Sequence, residues 1–203
     1  MATEILLIRH GETPSNAGRI VQTPDTPLSS RGFQQARLLG RRLSRDGIEQ
    51  ILCSDLERAR LTAEAVAAAT GAPVEFESAL QERNFGDLRG TPYDQLRENI
   101  FAADFVPPGG EAGEVFDRRV DQAWQNVIEL AERTEARLAV VTHGLVCLSL
   151  TERILDIEAK GLPEKFENTS VTVIEGCPPW RTQIIGCVEH LDGDRKTSDD
   201  GAV

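Results

Sequence analysis

Two short runs of consecutive apolar residues constrain the fold of this chain more than any other feature. The first run, Ile5–Ile8, leads directly into Arg-His-Gly at 9–11, and the second, Leu138–Val141, leads into Thr-His-Gly at 142–144. A strand whose apolar residues are continuous rather than alternating is buried on both faces, as in a parallel sheet covered by helices. Both runs therefore predict inner strands, each followed at once by a histidine, in a chain that has three histidines.

Strand and helix patterns alternate along the rest of the sequence. Short apolar runs predict strands at 4–9, 50–53, 73–76, 138–142, 170–175 and 182–190. Apolar residues at helical spacing predict helices at 30–46, 56–70, 92–100, 116–130 and 145–156. Ser54 and Glu57 fit a capping box for the second helix, which Gly71 is expected to end. The alternation predicts a three-layer α/β/α sandwich with a mostly parallel central sheet.

Length and charge limit the class of protein. The 203 residues suit one domain, which we expect to cover 1–191, followed by a disordered polar tail at 192–203. The formal net charge of −11 disfavours binding to nucleic acid or to an anionic membrane. No apolar run is long enough to span a bilayer, and the N-terminus lacks the features of a secretory signal.

The four cysteines include no C-x-x-C pair, and a chain of this size does not depend on disulfides for stability. Reduced thiols predict a cytoplasmic protein, in which Cys53 and Cys147 act as small apolar core residues. The oligomeric state stays open at this stage, with a homodimer as one alternative, because Trp124 and Trp180 suit either a core or an interface.

Charged and imidazole side chains are expected to meet at one edge of this sheet. The carboxyl ends of parallel strands lie together, which places Arg9, His10 and His143 at one pocket, and the strand at 50–53 delivers Arg58 on the first turn of the next helix. Two arginines match the oxygens of a phosphate. A neutral imidazole is a good nucleophile toward phosphorus, and a second imidazole can donate hydrogen bonds to the developing charge.

This reaction also needs an acid that protonates the leaving oxygen. Glu82, in the segment "LQERNFGDLRG", lies in a predicted loop with apolar residues around it. A partly buried carboxyl near a phosphate has a raised pKa and can act as a general acid. Spacing alone does not separate Glu82 from Asp87 or Glu111.

Five segments, in this order, resemble the histidine phosphatase superfamily in its phosphoglycerate mutase-like branch. They are "LIRHGET", "SDLERARLTAEAV", "LQERNFGDLRG", "PPGGE" and "VVTHG", and they cover about residues 4–150. The resemblance implies His10 as a phosphorylated nucleophile and Glu82 as the proton donor. It also implies that Arg9, Arg58 and His143 form the phosphate pocket.

The same resemblance supplies candidate substrate-binding residues. Asn16 matches a phosphate-contacting position, and Arg60 is a weaker candidate for contacts with the distal groups of the substrate. The remaining candidates follow the second histidine or lie in the first loop: Gly144, Gln22 and Thr23. Two departures from many relatives, Ser15 in place of an aromatic residue and Val-Gln-Thr at 21–23, fall where the non-phosphate part of the substrate is expected, so they bear on specificity.

Three alternatives remain beside a phosphatase acting on a small phosphorylated metabolite. Cofactor-dependent mutases of this family carry a long insertion after the acid motif, whereas about sixty residues separate Glu82 from His143 here, which favours hydrolysis. A catalytically silent protein that binds a phosphorylated ligand would fail to turn over an aryl phosphate. A metal enzyme is disfavoured because the histidines lack ligand spacing, and we expect neither a metal nor another cofactor.

Overall fold

A computed structural model of the chain describes residues 4–102, 104–155 and 163–192. Its centre is a six-stranded sheet in the order β3-β2-β4-β1-β5-β6. The strands are β1 Glu4–Arg9, β2 Ile48–Cys53, β3 Val74–Phe76, β4 Arg137–Thr142, β5 Val171–Ile174 and β6 Thr182–Cys187. Strands β3, β2, β4 and β1 pair in parallel, whereas β5 pairs antiparallel with both β1 and β6. The mostly parallel sheet is therefore confirmed.

Helices cover both faces of this sheet. They are α1 Pro14–Ala17, α2 Ser30–Leu43, α3 Glu57–Thr70, α4 Gly113–Ala131 and α5 Gly144–Arg153. Successive residues of β1 point to opposite faces: Leu6 and Ile8 join the apolar core under α2 and α3, while Ile5 and Leu7 join the core under α4 and α5. The predicted three-layer α/β/α architecture follows from this two-sided burial.

The register between β1 and β4 places the histidines that follow these two strands side by side. Arg9 lies opposite Thr142 in this parallel pair, so the next residue of each strand leaves the sheet at the same edge. The backbone N–H of His10 still donates to the carbonyl of Thr142, at 2.9 Å. His10 and His143 are therefore held close together by the sheet itself.

The start of α3 differs from the prediction. The helix begins at Glu57 with Leu56 as its N-cap, and no side chain caps it, so the capping box of Ser54 and Glu57 is wrong. The Ser54 hydroxyl instead lies 2.8 Å from a ring nitrogen of His143, because the strand end turns it toward the neighbouring strand. The predicted end is confirmed: Gly71 has a φ of +78°, which suits glycine.

Other boundaries shift by a few residues. The helix predicted at 30–46 ends at Leu43, and the one predicted at 92–100 is only a 3₁₀ turn, Tyr93–Gln95. The last strand ends at Cys187, and the residues after it enter another 3₁₀ turn, Glu189–Leu191. The helix predicted at 145–156 ends at Arg153. Residue 156 and residues 193–203 of the predicted tail lie outside the described residues.

Two further findings bear on the class of protein. Within the described ranges, no helix combines the length and the apolar character that crossing a membrane requires. Cys53 and Cys147 are free and buried, and burial raises the pKa of both thiols. Both therefore serve as apolar core residues, as predicted.

Candidate active site

His10 lies directly after β1 and is 1% exposed. Its Nδ1 lies 2.7 Å from the carbonyl oxygen of Gly11. A carbonyl only accepts, so Nδ1 carries the proton and Nε2 keeps its lone pair. Burial lowers the pKa of His10 well below the usual value, and Arg58 and Arg9 lower it further. The ring is therefore neutral at ordinary pH, with one nitrogen available as a nucleophile.

His143, the N-cap residue of α5, packs beside His10 with a distance of 5.1 Å between the ring centroids. Its Nε2 lies 2.8 Å from the hydroxyl of Ser54. Its Nδ1 is buried and has no hydrogen-bond partner within the described residues. Burial, followed by the field of Arg58, keeps the pKa of His143 well below its usual value.

Arg9 and Arg58 supply the positive charge of the site. Arg9 Nη1 donates to the carbonyl of Phe166, and Arg58 Nη1 donates to the carbonyl of Thr23 at 3.1 Å. The Nε atoms of both arginines are buried without a partner in the described part of the chain. Burial lowers the pKa of Arg58 to about 10, which leaves the guanidinium charged at neutral pH. Buried donors of this kind suit an anion.

Glu82 is held at the N-terminus of α5. One carboxyl oxygen accepts from the backbone N–H of Leu145 at 3.2 Å, and the other accepts from that of Arg83 at 3.1 Å. Burial raises the pKa of this carboxyl, an effect that the Leu145 N–H and the charges of Arg58 and Arg9 oppose. A carboxyl with a raised pKa beside an anion site is suited to give up a proton.

The structure separates the three carboxyl groups that spacing left equivalent. Both oxygens of Glu111 accept from the guanidinium of Arg119, at 2.9 and 2.7 Å. Asp87 is exposed. Only Glu82 of the three bonds to the helix terminus that carries His143.

Of the five predicted substrate-binding residues, Thr23 and Gly144 contact this cluster directly, whereas Asn16 and Gln22 bond to neighbouring side chains. Asn16 accepts from the side chain of Asn168 at 3.3 Å, and Asn168 donates to the backbone oxygen of His10 at 3.0 Å. Gln22 accepts from the Thr13 hydroxyl at 2.8 Å, and the Thr23 carbonyl binds Arg58 as described. A Cβ atom on Gly144 would lie 3.4 Å from Arg9 Nε, so the guanidinium rests against this glycine.

Arg60 is not brought into the cluster. It lies two positions after Arg58 on α3, which turns it to a different face of the helix. Its guanidinium pairs with Glu57 at 2.7 Å and also with Glu64. The side chain is 36% exposed, and its ion pairs hold it on the outer surface of α3.

Sequence reasoning missed several residues that lie at or near the cluster. The sequence pattern predicts Ser54 to be a helix cap, but Ser54 also follows a strand that ends at the same sheet edge as His10. That position is the signal that identifies it as a site residue. The buried hydroxyl of Thr62 accepts from the N–H of Gly11 at 3.0 Å. Tyr93 lies close enough for Glu82 to raise its pKa, after the larger effect of burial. Local patterns carry no signal for Thr62 or Tyr93.

Across the described ranges, no group of three or more His, Cys, Asp or Glu side chains is arranged to hold a metal ion. The polar groups at this sheet edge include two imidazoles, two guanidinium groups and one carboxyl, a set suited to binding an oxyanion.

Comparisons with known proteins agree on one family. The family sequence model of the histidine phosphatase superfamily (branch 1) matches residues 5–179. Two relatives, from Citrobacter koseri and Salmonella paratyphi B, carry the name "Probable phosphoglycerate mutase GpmB". They are 32% and 33% identical over 93% of this chain and 95% of their own length.

Solved structures show the same fold. YhfR of Bacillus stearothermophilus matches with a TM-score of 0.82 and 29% identity, over 94% of this chain and 100% of that chain. The α-ribazole phosphatase of Shigella flexneri gives 0.80 and 25%, over 92% and 97%. Mycobacterial glucosyl-3-phosphoglycerate phosphatase, in complex with VO3, gives 0.78 and 25%, over 90% and 98%. The chain is an enzyme of the histidine phosphatase superfamily, branch 1.

Proposed function

We propose that this enzyme hydrolyses phosphate monoesters of small metabolites through a phosphohistidine at His10. The observation that carries the proposal is the hydrogen bond from His10 Nδ1 to the Gly11 carbonyl, at 2.7 Å. It leaves the Nε2 lone pair of a neutral ring beside two buried arginines and a second imidazole. Such a nitrogen can attack phosphorus without first losing a proton.

The reaction then proceeds in two displacements. His10 Nε2 forms a bond to phosphorus while the bond to the ester oxygen breaks, and Glu82 gives its proton to that oxygen. Water next attacks the phosphohistidine, and the Glu82 carboxylate takes a proton from the water as the P–N bond breaks. The products are an alcohol and inorganic phosphate, and the enzyme returns to its initial protonation state.

Arg9, Arg58 and His143 act on the phosphoryl group during both steps. The two guanidinium groups neutralise the oxygens of the group in transfer, and His143 donates a hydrogen bond to them. Groups of this kind, held in place before the reaction, stabilise charge that develops in the transition state without further reorganisation.

Similar proteins of known structure support the proposed class of substrate. They include a "putative alpha-ribazole-5'-P phosphatase" and a glucosyl-3-phosphoglycerate phosphatase, whose names denote small phosphorylated metabolites. The connection between Glu82 and His143 is short, about sixty residues, and this favours an open pocket that water can enter.

His10→Ala tests the proposal most directly. Turnover of any phosphate monoester should stop, and so should acid-labile labelling of the protein by a radioactive phosphate donor. His190→Gln is the comparison variant at another histidine: His190 bonds to Thr169 and Arg42, and the variant should retain labelling. Normal labelling of His10→Ala would contradict the assignment.

A phosphoglycerate mutase is the second candidate, favoured by the name of the relatives at 32% and 33% identity. The two functions differ in what accepts the phosphoryl group from His10, which is water in one and a second hydroxyl in the other. Incubation with 3-phosphoglycerate, with and without 2,3-bisphosphoglycerate, separates them. Release of inorganic phosphate supports the phosphatase, whereas formation of 2-phosphoglycerate without such release supports the mutase.

A further inference from the structure

Ser54 occupies a fixed position beside His143. It follows β2 directly and is 0% exposed. Its backbone N–H donates to the carbonyl of Val141 at 2.9 Å, which ties it to β4 two residues before His143. From this position its hydroxyl oxygen reaches Nε2 of His143 at 2.8 Å.

Helix capping does not account for this placement. The hydroxyl also accepts from the N–H of Leu56, but that distance is 3.4 Å, at the long limit for a hydrogen bond. The N-cap of α3 is Leu56 rather than Ser54. The short contact of Ser54 is the one to His143.

The direction of this hydrogen bond determines which ring nitrogen of His143 carries the proton. A neutral imidazole has a single N–H, and the ring is neutral because burial and the neighbouring arginines keep its pKa well below the usual value. If Nε2 donated to Ser54, the buried Nδ1 would present a lone pair to the oxygens of a phosphate. If Ser54 donates to Nε2, Nδ1 carries the proton.

We infer that Ser54 donates its hydroxyl proton to His143 Nε2 and so holds His143 as the Nδ1–H tautomer, with this N–H presented to the phosphoryl group. Among the described residues the Ser54 hydroxyl has two partners, the Leu56 N–H and His143 Nε2. The Leu56 N–H can only donate, so Nε2 is the one acceptor within reach of the hydroxyl proton. His143 Nδ1 is buried without a partner in the described residues, as a donor that a ligand completes would be. Ser54 is thus a positioning residue. The inference rests on the proposed function only where it assigns the His143 Nδ1–H to the phosphoryl group.

The tautomer can be measured without turnover. In protein labelled with ¹⁵N-histidine, long-range ¹H–¹⁵N spectra report which ring nitrogen is protonated, and His10→Ala and His190→Gln assign the three histidines. Wild-type His143 should be the Nδ1–H form. In Ser54→Ala the Nε2–H form should become populated, and Ser54→Thr, which keeps the hydroxyl, should restore the wild-type pattern.

Ser149→Ala is the matched control. Ser149 is also a buried serine, and its hydroxyl donates to Asp117 at 3.1 Å, away from the histidines. Its removal should leave the His143 tautomer unchanged. An Nε2–H tautomer in the wild-type protein would overturn the inference even if Ser54→Ala did not fold. An unchanged Nδ1–H tautomer in folded Ser54→Ala would overturn it as well.

Kinetics give a second readout. Loss of one donor to developing charge costs about 10²–10³-fold, so a partly lost tautomer should lower kcat/KM by about 10- to 10²-fold. The loss should be equal for alkyl and aryl phosphates, because the donor faces phosphate oxygens and not the leaving group, and inhibition by vanadate should weaken. Failure of the proposed function would appear instead as labelling of His10→Ala, whatever the tautomer of His143.

Discussion

Burial and neighbouring charges change the pKa values of the carboxyl and imidazole groups in this site. Glu82 is drawn toward its neutral form by burial, although Arg58 and Arg9 act in the opposite direction. His10 is neutral because burial and the same arginines disfavour the imidazolium. One environment thus favours a protonated acid beside an unprotonated nucleophile, which is the combination that the first step of phosphoryl transfer uses.

Glu82→Gln should slow reactions according to the leaving group. A sugar alkoxide needs a proton as the P–O bond breaks, whereas nitrophenolate barely does, and general acid catalysis is worth about 10²–10⁴-fold. Hydrolysis of alkyl phosphates should therefore fall by about that factor, and hydrolysis of nitrophenyl phosphate far less. Asp87→Asn, a change at an exposed carboxyl, should leave both rates unchanged. Equal slowing of both substrates would make Glu82 a positioning residue.

The pH dependence of alkyl phosphate hydrolysis should follow the same carboxyl. A general acid works only while protonated, so kcat should fall as the pH rises through the raised pKa of Glu82. The rise in pKa extends the active range upward from that of an ordinary glutamate. In Glu82→Gln this fall should disappear from the kcat profile measured with alkyl phosphates. Its persistence there would assign the titration to another group.

At the scale of elements, helix termini and strand ends converge on the loop that follows His10. The first turn of α2 rests on this loop: Ser29, its N-cap, donates its hydroxyl proton to the Glu12 carboxylate at 2.9 Å. Backbones also approach closely, since a Cβ on Gly32 would lie 1.9 Å from the Glu12 carbonyl oxygen. The helix therefore limits where the segment after the nucleophile can lie.

Gly32→Ala should destabilise the protein and impair catalysis together. The clash is with backbone, which no rotamer change relieves, so we expect a loss of about 3 kcal/mol in the free energy of unfolding. Gly71→Ala is the comparison, because space around Gly71 is open and only its φ of +78° opposes alanine, at about 1–2 kcal/mol. Urea unfolding and kcat measure the effects. A Gly32→Ala protein as stable and active as wild type would refute the close approach.

At the scale of the whole molecule, a strongly acidic chain contains a locally cationic pocket. The formal net charge is −11, yet Arg9 and Arg58 lie at the edge of the sheet where the two histidines follow their strands. Such a field repels polyanions at long range, while the two buried arginines attract a small anion at this edge. Small phosphorylated molecules fit this distribution better than nucleic acids do.

Activity should survive removal of divalent metal ions. Two guanidinium groups and two imidazoles can neutralise the phosphoryl oxygens, so the proposed reaction has no step that requires a metal. Turnover of nitrophenyl phosphate should be unchanged after dialysis against a chelator, and vanadate should inhibit by imitating five-coordinate phosphorus. Loss of activity in chelator, restored by added magnesium or zinc, would contradict this expectation.

Local sequence patterns were sufficient for the layers and for much of the predicted site. Continuous apolar runs identify inner strands because burial on both faces leaves no place for polar residues. The rule that parallel strands end at one edge then predicts that His10, His143 and Arg9 lie together. The family resemblance identified Glu82 as a site residue, because it lies in a loop where hydrophobic periodicity gives no signal.

Tertiary structure alone decided among residues that local patterns treat alike. Glu111 forms an ion pair with Arg119, and Asp87 faces solvent. Of the three carboxyl groups, only Glu82 bonds to the start of α5. Ser54 binds a histidine 89 positions away instead of capping its own helix, and Arg60 pairs along the outside of α3. Each outcome depends on contacts between segments far apart in the chain, and side-chain spacing within one segment carries no information about them.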